Sequence, residues 1–336
     1  MALFRAGARI QTGSGWWLGA CSVSDSLQVC QEQLKCMATL AYETVCSAPK
    51  EAGSGDRDKQ TALIVHGLLG SGRNWRTFSR MLANEAASVS GRPWKMVMVD
   101  QRNHGASSEV RGFHPPHSIQ ASAGDLLSLV QSKLSGRVPD MLVGHSLGGK
   151  TVLELLRQLQ ESGQQLPKKV FVLDSPLGET NGSNGVHSDT EKVINEILGI
   201  ALPVPSREWL YKYMTDRGYS TAIQQWLGSN LVGTRGGFKW AFDISGAAAM
   251  FSSYRRLDCY SLLQQPLPGV EVHVVRAEQS DRWSTKELRQ LGEVAEQSGK
   301  ALVKVHVLPK AGHWLHVDNA EGLLTLISSS LSSQEG

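Results

Sequence analysis

Short apolar runs alternate with amphipathic stretches along most of the chain. The run TALIVHG (61–67) is apolar up to its last residues and is closed by glycine, which is typical of a strand buried on both faces. The stretches between such runs repeat apolar residues at helical spacing, and Asn74 and Ser118 can cap two of the helices. The pattern predicts strands at 39–45, 61–67, 94–100, 141–144, 169–174, 270–277 and 302–308, with helices between them that include 147–161, 284–297 and one from about 319.

This alternation predicts βαβ units, and therefore an α/β fold with a doubly wound, mostly parallel sheet. The alternation stops between 177 and 265, where no strand pattern is convincing and helical stretches carry several tryptophans. We expect this segment to be an all-helical insertion that lies as a lid over the carboxyl edge of the sheet, where open α/β sheets bind ligands. Residues 37–176 and 266–336 then form the core.

Composition and charge exclude several classes of function. The 34 basic and 31 acidic residues leave a net charge of +3, and no basic run stands out, so nothing indicates a nucleic-acid partner. No stretch approaches the ~20 apolar residues of a membrane-spanning helix, so no integral membrane segment is expected. The five cysteines form no Cys-x-x-Cys pair. Reduced thiols in an intracellular compartment are therefore expected rather than a disulfide framework or a zinc site.

Residues 1–36 differ from the rest of the chain. This segment contains Arg5 and Arg9, is rich in Ser, Gly and Ala, and has no acidic residue before Asp25. Such a composition is typical of an organellar transit peptide, and a disordered tail is the alternative. We expect the segment to direct import into an organelle and to be cleaved. If it has no targeting role, the protein is cytoplasmic.

A serine stands between two glycines at the point where an apolar run becomes an amphipathic one. In GHSLG (144–148), Ser146 follows the predicted strand and precedes the predicted helix. A sharp strand-to-helix turn needs small neighbours two residues away, and Gly144 and Gly148 meet that need. The turn would expose the hydroxyl beside a helix N-terminus, which favours developing negative charge. We therefore interpret Ser146 as a nucleophile.

A serine nucleophile needs a base, and the base needs an orienting acid. His313 directly follows a glycine after the last predicted strand, and the fold could bring it to Ser146. Asp174 and Asp281 both follow predicted strands, so either could be the acid. The backbone N–H groups of Leu68 and Leu147 are candidates to stabilise an oxyanion.

The stretches HGLLGSGRNW, VDQRNHGASS, VGHSLGGK and AGHWLH, together with the order Ser146, Asp, His313, resemble the motifs of the α/β-hydrolase superfamily. The resemblance runs from about residue 38 to 330 and is greatest to the group that contains alpha/beta-hydrolase domain-containing protein 11 and the bacterial YbfF-like esterases. It implies a serine hydrolase with a helical lid and esterase activity on acyl substrates. It also favours the mitochondrion over the chloroplast as the destination.

The choice between the two acids remains open at this point. The YbfF-like resemblance favours Asp174 at the end of the strand after the nucleophile strand. The usual placement in the superfamily favours Asp281, which follows the next strand beyond the insertion, and a loop carboxylate can turn towards the histidine. We prefer Asp281 on this ground. The alternative roles are turn formation for Asp174 and a surface ion pair with Arg282 for Asp281.

We predict structural roles for four other histidines. His66 and His104 are expected to hold loop backbones, His145 to shape the pocket, and His316 to lie at the surface or at the start of a helix. The stretches HPPH (114–117) and HWLH (313–316) have no third ligand at a sensible spacing, so no metal is expected.

The sequence therefore predicts a cofactor-free serine esterase or thioesterase that acts on a small or lipid-like acyl substrate through an acyl-enzyme. The alternatives are a ligand receptor that keeps the triad but turns over slowly, and a cofactor-free carbon–carbon hydrolase or haloperoxidase-like enzyme. Protein partners are not predicted.

Overall fold

The structure, a computed structural model, describes residues 38–48, 59–180, 188–264, 267–297 and 302–331, with the side chains of 188 and 189 excepted. The predicted transit peptide, residues 1–36, lies outside these ranges and stays a prediction. None of the described helices is long and apolar enough to cross a bilayer.

Nine strands lie within the described residues. They are β1 (Tyr42–Cys46), β2 (Gln60–Val65), β3 (Trp94–Val99), β4 (Met141–His145), β5 (Lys169–Leu173), β6 (Leu231–Thr234), β7 (Gly237–Trp240), β8 (Glu271–Ala277) and β9 (Val303–Leu308).

Seven of these strands form one sheet in the order β1-β3-β2-β4-β5-β8-β9. Every neighbouring pair is parallel except β1 with β3, which is antiparallel. The prediction of an α/β fold with a mostly parallel sheet is confirmed. The central strands of the sheet are nearly continuous apolar runs because both of their faces are covered.

The α-helices of the described chain are α1 (Arg76–Ser90), α2 (Ile119–Lys133), α3 (Leu147–Glu161), α4 (Ser188–Leu198), α5 (Arg207–Thr215), α6 (Thr221–Ser229), α7 (Ile244–Arg256), α8 (Tyr260–Gln264), α9 (Thr285–Gln297), α10 (Leu315–Asp318) and α11 (Ala320–Ser329). Short 3₁₀ helices span Gly72–Trp75 and Gly105–Glu109.

Successive residues of the central strands enter two different hydrophobic clusters, one on each face of the sheet. Leu142 of β4 and Val172 of β5 belong to the cluster that includes α2, α3 and α9. Val143 and Phe171, their neighbours in sequence, belong to the cluster that includes α1 and α11. Because side chains alternate between the faces of a strand, both clusters draw on every central strand. Both faces of the central part of the sheet are therefore buried.

The segment between β5 and β8 contains α4 to α8 and a β-hairpin made of β6 and β7. The expectation of an all-helical insertion is therefore wrong. Each hairpin strand has only four residues, which is too short for alternation to show against a helical background. Gly237 opens β7 at a φ of +139°, a conformation that L-residues with side chains rarely adopt.

The insertion packs against the loops that leave the sheet at its carboxyl edge. Leu68, which follows β2, and Leu147, which follows β4, share a hydrophobic cluster with Ile197 of α4, Leu210 of α5 and Met250 of α7. The insertion and the carboxyl edge therefore enclose a common space.

A buried lysine on α3 joins the core to the insertion. The Nζ of Lys150 donates to the carbonyl oxygens of Gly178 at 2.8 Å, Tyr254 at 2.9 Å and Leu257 at 2.6 Å. It also lies 4.5 Å from the centre of the Tyr254 ring. Burial lowers the pKa of Lys150 to about 8, so the ammonium still carries its charge at pH 7. Three carbonyl groups of the insertion thus depend on one core side chain.

We expect Lys150→Met to lower the free energy of unfolding by about 2 kcal/mol or more, because three buried carbonyl oxygens lose their donor. Urea denaturation measures this change. Lys212→Met, on an exposed helical face where Lys212 pairs with Asp216, is the matched control and should change stability by less than about 0.5 kcal/mol. A Lys150→Met loss as small as that of the control would contradict the proposed link.

Candidate active site

Ser146 occupies a strained turn between β4 and α3. Its φ of +52° and ψ of −119° lie in a region that residues with a side chain rarely adopt. A Cβ at Gly144 would lie 2.2 Å from the carbonyl oxygen of Gly148, and a Cβ at Gly148 would lie 2.4 Å from that of Val65. Only glycine fits at both positions, since the obstructing atoms are backbone. The turn leaves Ser146 partly exposed at the carboxyl edge of the sheet.

The carboxylate bound to His313 is Asp174. The Nδ1–H of His313 donates to Oδ2 of Asp174 at 2.8 Å, and the Asp174 side chain is fully buried at the end of β5. Asp281, by contrast, is 86% exposed, and its nearest charged partner is Arg282 at 3.5 Å. The preference for Asp281 as the partner of His313 is therefore wrong. The reason is the direction of the 280–283 loop, which turns the Asp281 side chain to solvent.

Four donors converge on the Asp174 carboxylate. Besides His313, Oδ2 accepts from the hydroxyl of Ser280 at 2.6 Å, and Oδ1 accepts from Nε1 of Trp283 at 2.8 Å and from the backbone N–H of Ala277 at 3.2 Å. Burial alone would raise the pKa of Asp174, but the bonds from His313, Ser280 and Trp283 outweigh it. The pKa of Asp174 lies below its ordinary value, so the group is an anion at neutral pH.

The His313 ring is uncharged at pH 7 because its pKa lies below the ordinary value of 6.5. Burial lowers its pKa, the hydrogen bond to Asp174 partly opposes that shift, and the charge of Arg282 lowers the pKa further. Because Nδ1 carries the proton that Asp174 accepts, Nε2 is the ring nitrogen that can accept a proton. His313 can therefore serve as a base at Nε2.

His145, the residue before Ser146, holds the His313 backbone in place. Its Nε2–H donates to the carbonyl oxygen of His313 at 2.7 Å, and the two ring centres are 4.6 Å apart. Burial lowers the pKa of His145 well below its ordinary value, and nearby histidines add to this effect. A neutral donor thus links the turn that carries Ser146 to the loop that carries His313.

The backbone N–H groups of Leu68 and Leu147 have no acceptor within the described residues. Leu147 is the first residue of α3, so its N–H has no acceptor within the helix. In the described part of the chain, no hydrogen-bond acceptor is found for the N–H of Leu68 either. Both residues line the cavity that contains Ser146. The two donors are therefore available for a substrate oxygen.

A neutral histidine fixes the loop that carries Leu68. The Nδ1–H of His66 donates to the carbonyl oxygen of Gly67 at 2.7 Å, and its Nε2 accepts from the backbone N–H of Gln101 at 3.1 Å. The amide of Gln101 returns a hydrogen bond to the His66 carbonyl at 2.7 Å. Burial lowers the pKa of His66 to about 4, so the ring keeps this pattern at neutral pH.

Ser146, His313, Leu68 and Leu147 all line one cavity of about 480 Å³. Its far wall comes from the insertion, through side chains of α4, α6 and α7 that are mainly apolar. These are Thr190, Val193, Ala222, Ile223, Gln225, Trp226, Phe251 and Tyr254.

His316 and one tryptophan of the insertion line the cavity, whereas two other tryptophans of the insertion do not. His316 lies in the first turn of α10, one of the two places expected for it, where it lines the cavity and stacks on Trp75 with ring centres 3.9 Å apart. Trp226 lines the cavity as well, whereas Trp240 stacks on Phe242 and Trp209 is exposed. Within the described residues, no group of three His, Cys, Asp or Glu side chains is placed to hold a metal ion.

Comparison of the chain with known proteins identifies its family. A model of the Alpha/beta hydrolase family matches residues 62–325. The chain belongs to the alpha/beta hydrolase family.

Relatives of this alpha/beta hydrolase include esterases and a lipase. It is 28% identical over 283 residues to the sn-1-specific diacylglycerol lipase ABHD11 of Mus musculus, which covers 83% of each chain. It is 22% identical over 292 residues to Esterase YbfF of Escherichia coli, covering 84% of this chain and 97% of the relative. The solved structure of a marine microorganism esterase has a TM-score of 0.66 and 20% identity, covering 87% of this chain and 99% of that one, and shows the shared fold.

Sequence reasoning missed three residues that support the site. Ser280 and Trp283, which hold Asp174, flank Asp281, and the sequence offered no sign of which side chain in this loop faces inwards. Gln101 follows β3 and anchors His66, and it also accepts from the hydroxyls of Ser122 and Thr151 at 3.0 Å each. A polar residue directly after a buried strand was the available signal for Gln101.

We expect Asp174→Asn to lower the pKa of His313, because the hydrogen bond and charge of Asp174 favour the protonated ring. Asp281→Asn should lower it less, since the Asp281 carboxylate is exposed and makes no hydrogen bond to the ring. Titration of the His313 ring by NMR measures both shifts. Equal shifts in the two variants would contradict the assignment of Asp174 as the partner.

Proposed function

We propose that this alpha/beta hydrolase is a serine esterase or thioesterase that cleaves an acyl substrate through an acyl-enzyme. The observation that carries the proposal is the hydrogen bond from His313 to the buried Asp174 carboxylate, in the wall of the cavity that Ser146 also lines. A serine, a neutral histidine and a buried carboxylate are the three groups that nucleophilic acyl transfer requires.

In the proposed acylation step, Oγ of Ser146 attacks the carbonyl carbon of the substrate and Nε2 of His313 accepts the hydroxyl proton. Before the attack, the hydrogen bond to Asp174 keeps the proton of neutral His313 on Nδ1. After the proton transfer, Asp174 stabilises the imidazolium that forms. The N–H groups of Leu68 and Leu147 donate to the oxygen as it becomes negative. His313 returns the proton to the leaving alcohol or thiol, and the C–O or C–S bond breaks.

In the proposed deacylation step, water replaces the leaving group. His313 removes a proton from water through Nε2, and the resulting hydroxide attacks the acyl carbon. The same two backbone donors stabilise the second oxyanion. The proton passes from His313 to Oγ of Ser146, which releases the carboxylic acid and restores the free enzyme.

The cavity supports a small or lipid-like acyl group as the substrate. Its volume of about 480 Å³ and its mainly apolar wall from α4, α6 and α7 suit an acyl chain of limited length. The name of the mouse relative, a diacylglycerol lipase, supports an ester of a lipid. The geometry around Ser146 serves an ester and a thioester equally, since both present a carbonyl to the same two donors.

We expect Ser146→Ala to abolish ester hydrolysis and fluorophosphonate labelling, since the loss of the nucleophile costs on the order of a million-fold in turnover in a comparable hydrolase. Asp174→Asn should lower turnover by about ten-thousand-fold, because His313 loses the partner that fixes its tautomer. Asp281→Asn is the matched carboxylate control and should stay within about three-fold of the parent. Steady-state kinetics on 4-nitrophenyl butyrate measures all three, and an active Ser146→Ala protein would rule out the mechanism.

The pH dependence follows from the lowered pKa of His313. The ring must be neutral to accept the Ser146 proton, so kcat/KM should rise as the pH increases through the pKa of His313. Because burial lowers that pKa from 6.5, the rise should be complete near neutral pH. A pH profile of kcat/KM for a neutral ester tests this expectation, and an inflection above pH 7 would contradict it.

A further inference from the structure

An arginine lies in the cavity beside the candidate triad. Arg282 lines the same cavity as Ser146 and His313, and faces the insertion at Thr190 of α4. Besides burial, which has the largest effect, the positive charge of Arg282 lowers the pKa of both His145 and His313. The mechanism described above gives Arg282 no role.

The position of Arg282 is set by the 280–283 loop, because neighbouring residues of this loop are held by hydrogen bonds to Asp174. Ser280 and Trp283 both donate to the Asp174 carboxylate, and the backbone N–H of Arg282 donates to Oγ of Ser280 at 3.3 Å. With the residues on either side bound to Asp174, the Arg282 side chain extends into the cavity while that of Asp281 extends to solvent. The loop that holds the acid therefore also sets the position of the cation.

Only some of the N–H groups of the Arg282 guanidinium have a hydrogen-bond acceptor among the described residues. Nη1 donates to the hydroxyl of Thr190 at 2.8 Å, whereas Nε is buried and has no hydrogen-bond acceptor among the described residues. The carboxylate of Asp281 lies 3.5 Å from Nε, but its exposure to water weakens that ion pair. Donors thus remain for an anion that enters the cavity, and guanidinium suits carboxylate and phosphate groups.

The other charges of the cavity do not compete with this role. Burial keeps the cavity histidines neutral at pH 7, as the pKa of about 4 for both His66 and His316 illustrates. Asp174 is occupied by its four donors, and Asp318 accepts from the backbone N–H of Gly312 at 2.9 Å. Among the described residues that line the cavity, Arg282 carries the positive charge.

We propose that Arg282 binds an anionic group of the substrate, a carboxylate or a phosphate, and so makes this enzyme selective for anionic acyl esters. The proposal rests on the proposed function and names the substrate class for that site. The anion belongs either to the acyl group or to the leaving alcohol, and the two cases share the same chemistry at the guanidinium. A purely structural alternative is that Arg282 only ties α4 to the core through Thr190.

The test compares each anionic ester with an uncharged ester of similar shape. For the acyl side, the pair is mono-4-nitrophenyl adipate and 4-nitrophenyl 6-methylheptanoate, in which an isopropyl group replaces the carboxylate. For the alcohol side, the pair is the butyryl ester of glycerol 3-phosphate and glycerol monobutyrate. The readout is the ratio of kcat/KM for the anionic ester to that for the neutral ester.

We expect Arg282→Gln to lower this ratio by about 10-fold to 100-fold in one of the two pairs, the range for one hydrogen bond to a charged group. Arg282→Lys, which keeps the charge, should restore part of the ratio. Thr190→Val removes the hydroxyl that Arg282 contacts but leaves the guanidinium, and it should keep the ratio within about three-fold. A ratio unchanged by Arg282→Gln in both pairs, or one lowered equally by Thr190→Val, would overturn the proposal.

Two further measurements separate this inference from the proposed function. Fluorophosphonate labelling of the parent protein reports whether Ser146 is an active nucleophile, whatever the charge of the substrate. Calorimetric titration of the Ser146→Ala protein with monobutyl adipate and with glycerol 3-phosphate butyrate measures anion binding without turnover. Arg282→Gln in that background should weaken the binding of one of them by at least about 10-fold. If the Ser146→Ala protein and the Ser146→Ala, Arg282→Gln double variant bind both ligands with equal affinity, the anion site is overturned even if the hydrolase is active.

Discussion

The buried carboxylate of Asp174 is the group on which the rest of the site depends. A buried anion is costly unless donors surround it, and its donors come from two separate parts of the chain: His313, and the stretch from Ala277 at the end of β8 to Ser280 and Trp283 in the following loop. Satisfying one charge therefore fixes the base and the loop that carries Arg282 at the same time. The Asp174 backbone, at a φ of +44°, is itself held in an unfavourable conformation to reach them.

The parallel sheet makes this convergence possible. Strands that all run one way deliver their following loops to one edge, so Ser146, Asp174 and Leu68 meet there although long stretches of chain separate them. Neutral histidines then connect the loops, since His145 binds the His313 backbone and His66 binds its own turn and Gln101. Burial keeps these rings uncharged, so the hydrogen-bond pattern does not depend on pH near neutrality.

The insertion completes the site from the other side. It contributes an apolar wall to the cavity, and it is attached to the core both by shared hydrophobic packing and by Lys150, whose ammonium binds three of its carbonyl groups. The cavity is thus built from two parts of the chain, which differ in what they contribute. The core supplies the candidate triad, while the insertion supplies the apolar wall of the space in which a substrate would lie.

Local pattern in the sequence determined the order of most strands and helices, the turn at Ser146 and the position of His313 after the last strand, because these depend on side-chain period and on glycine at fixed short spacings. It failed for the hairpin β6–β7, whose four-residue strands show no period, and for the choice of Asp174 over Asp281. Both aspartates follow strands, so the sequence treats them alike. Only the tertiary structure decides which one is buried and faces His313, because that depends on how the 280–283 loop packs against the end of β5.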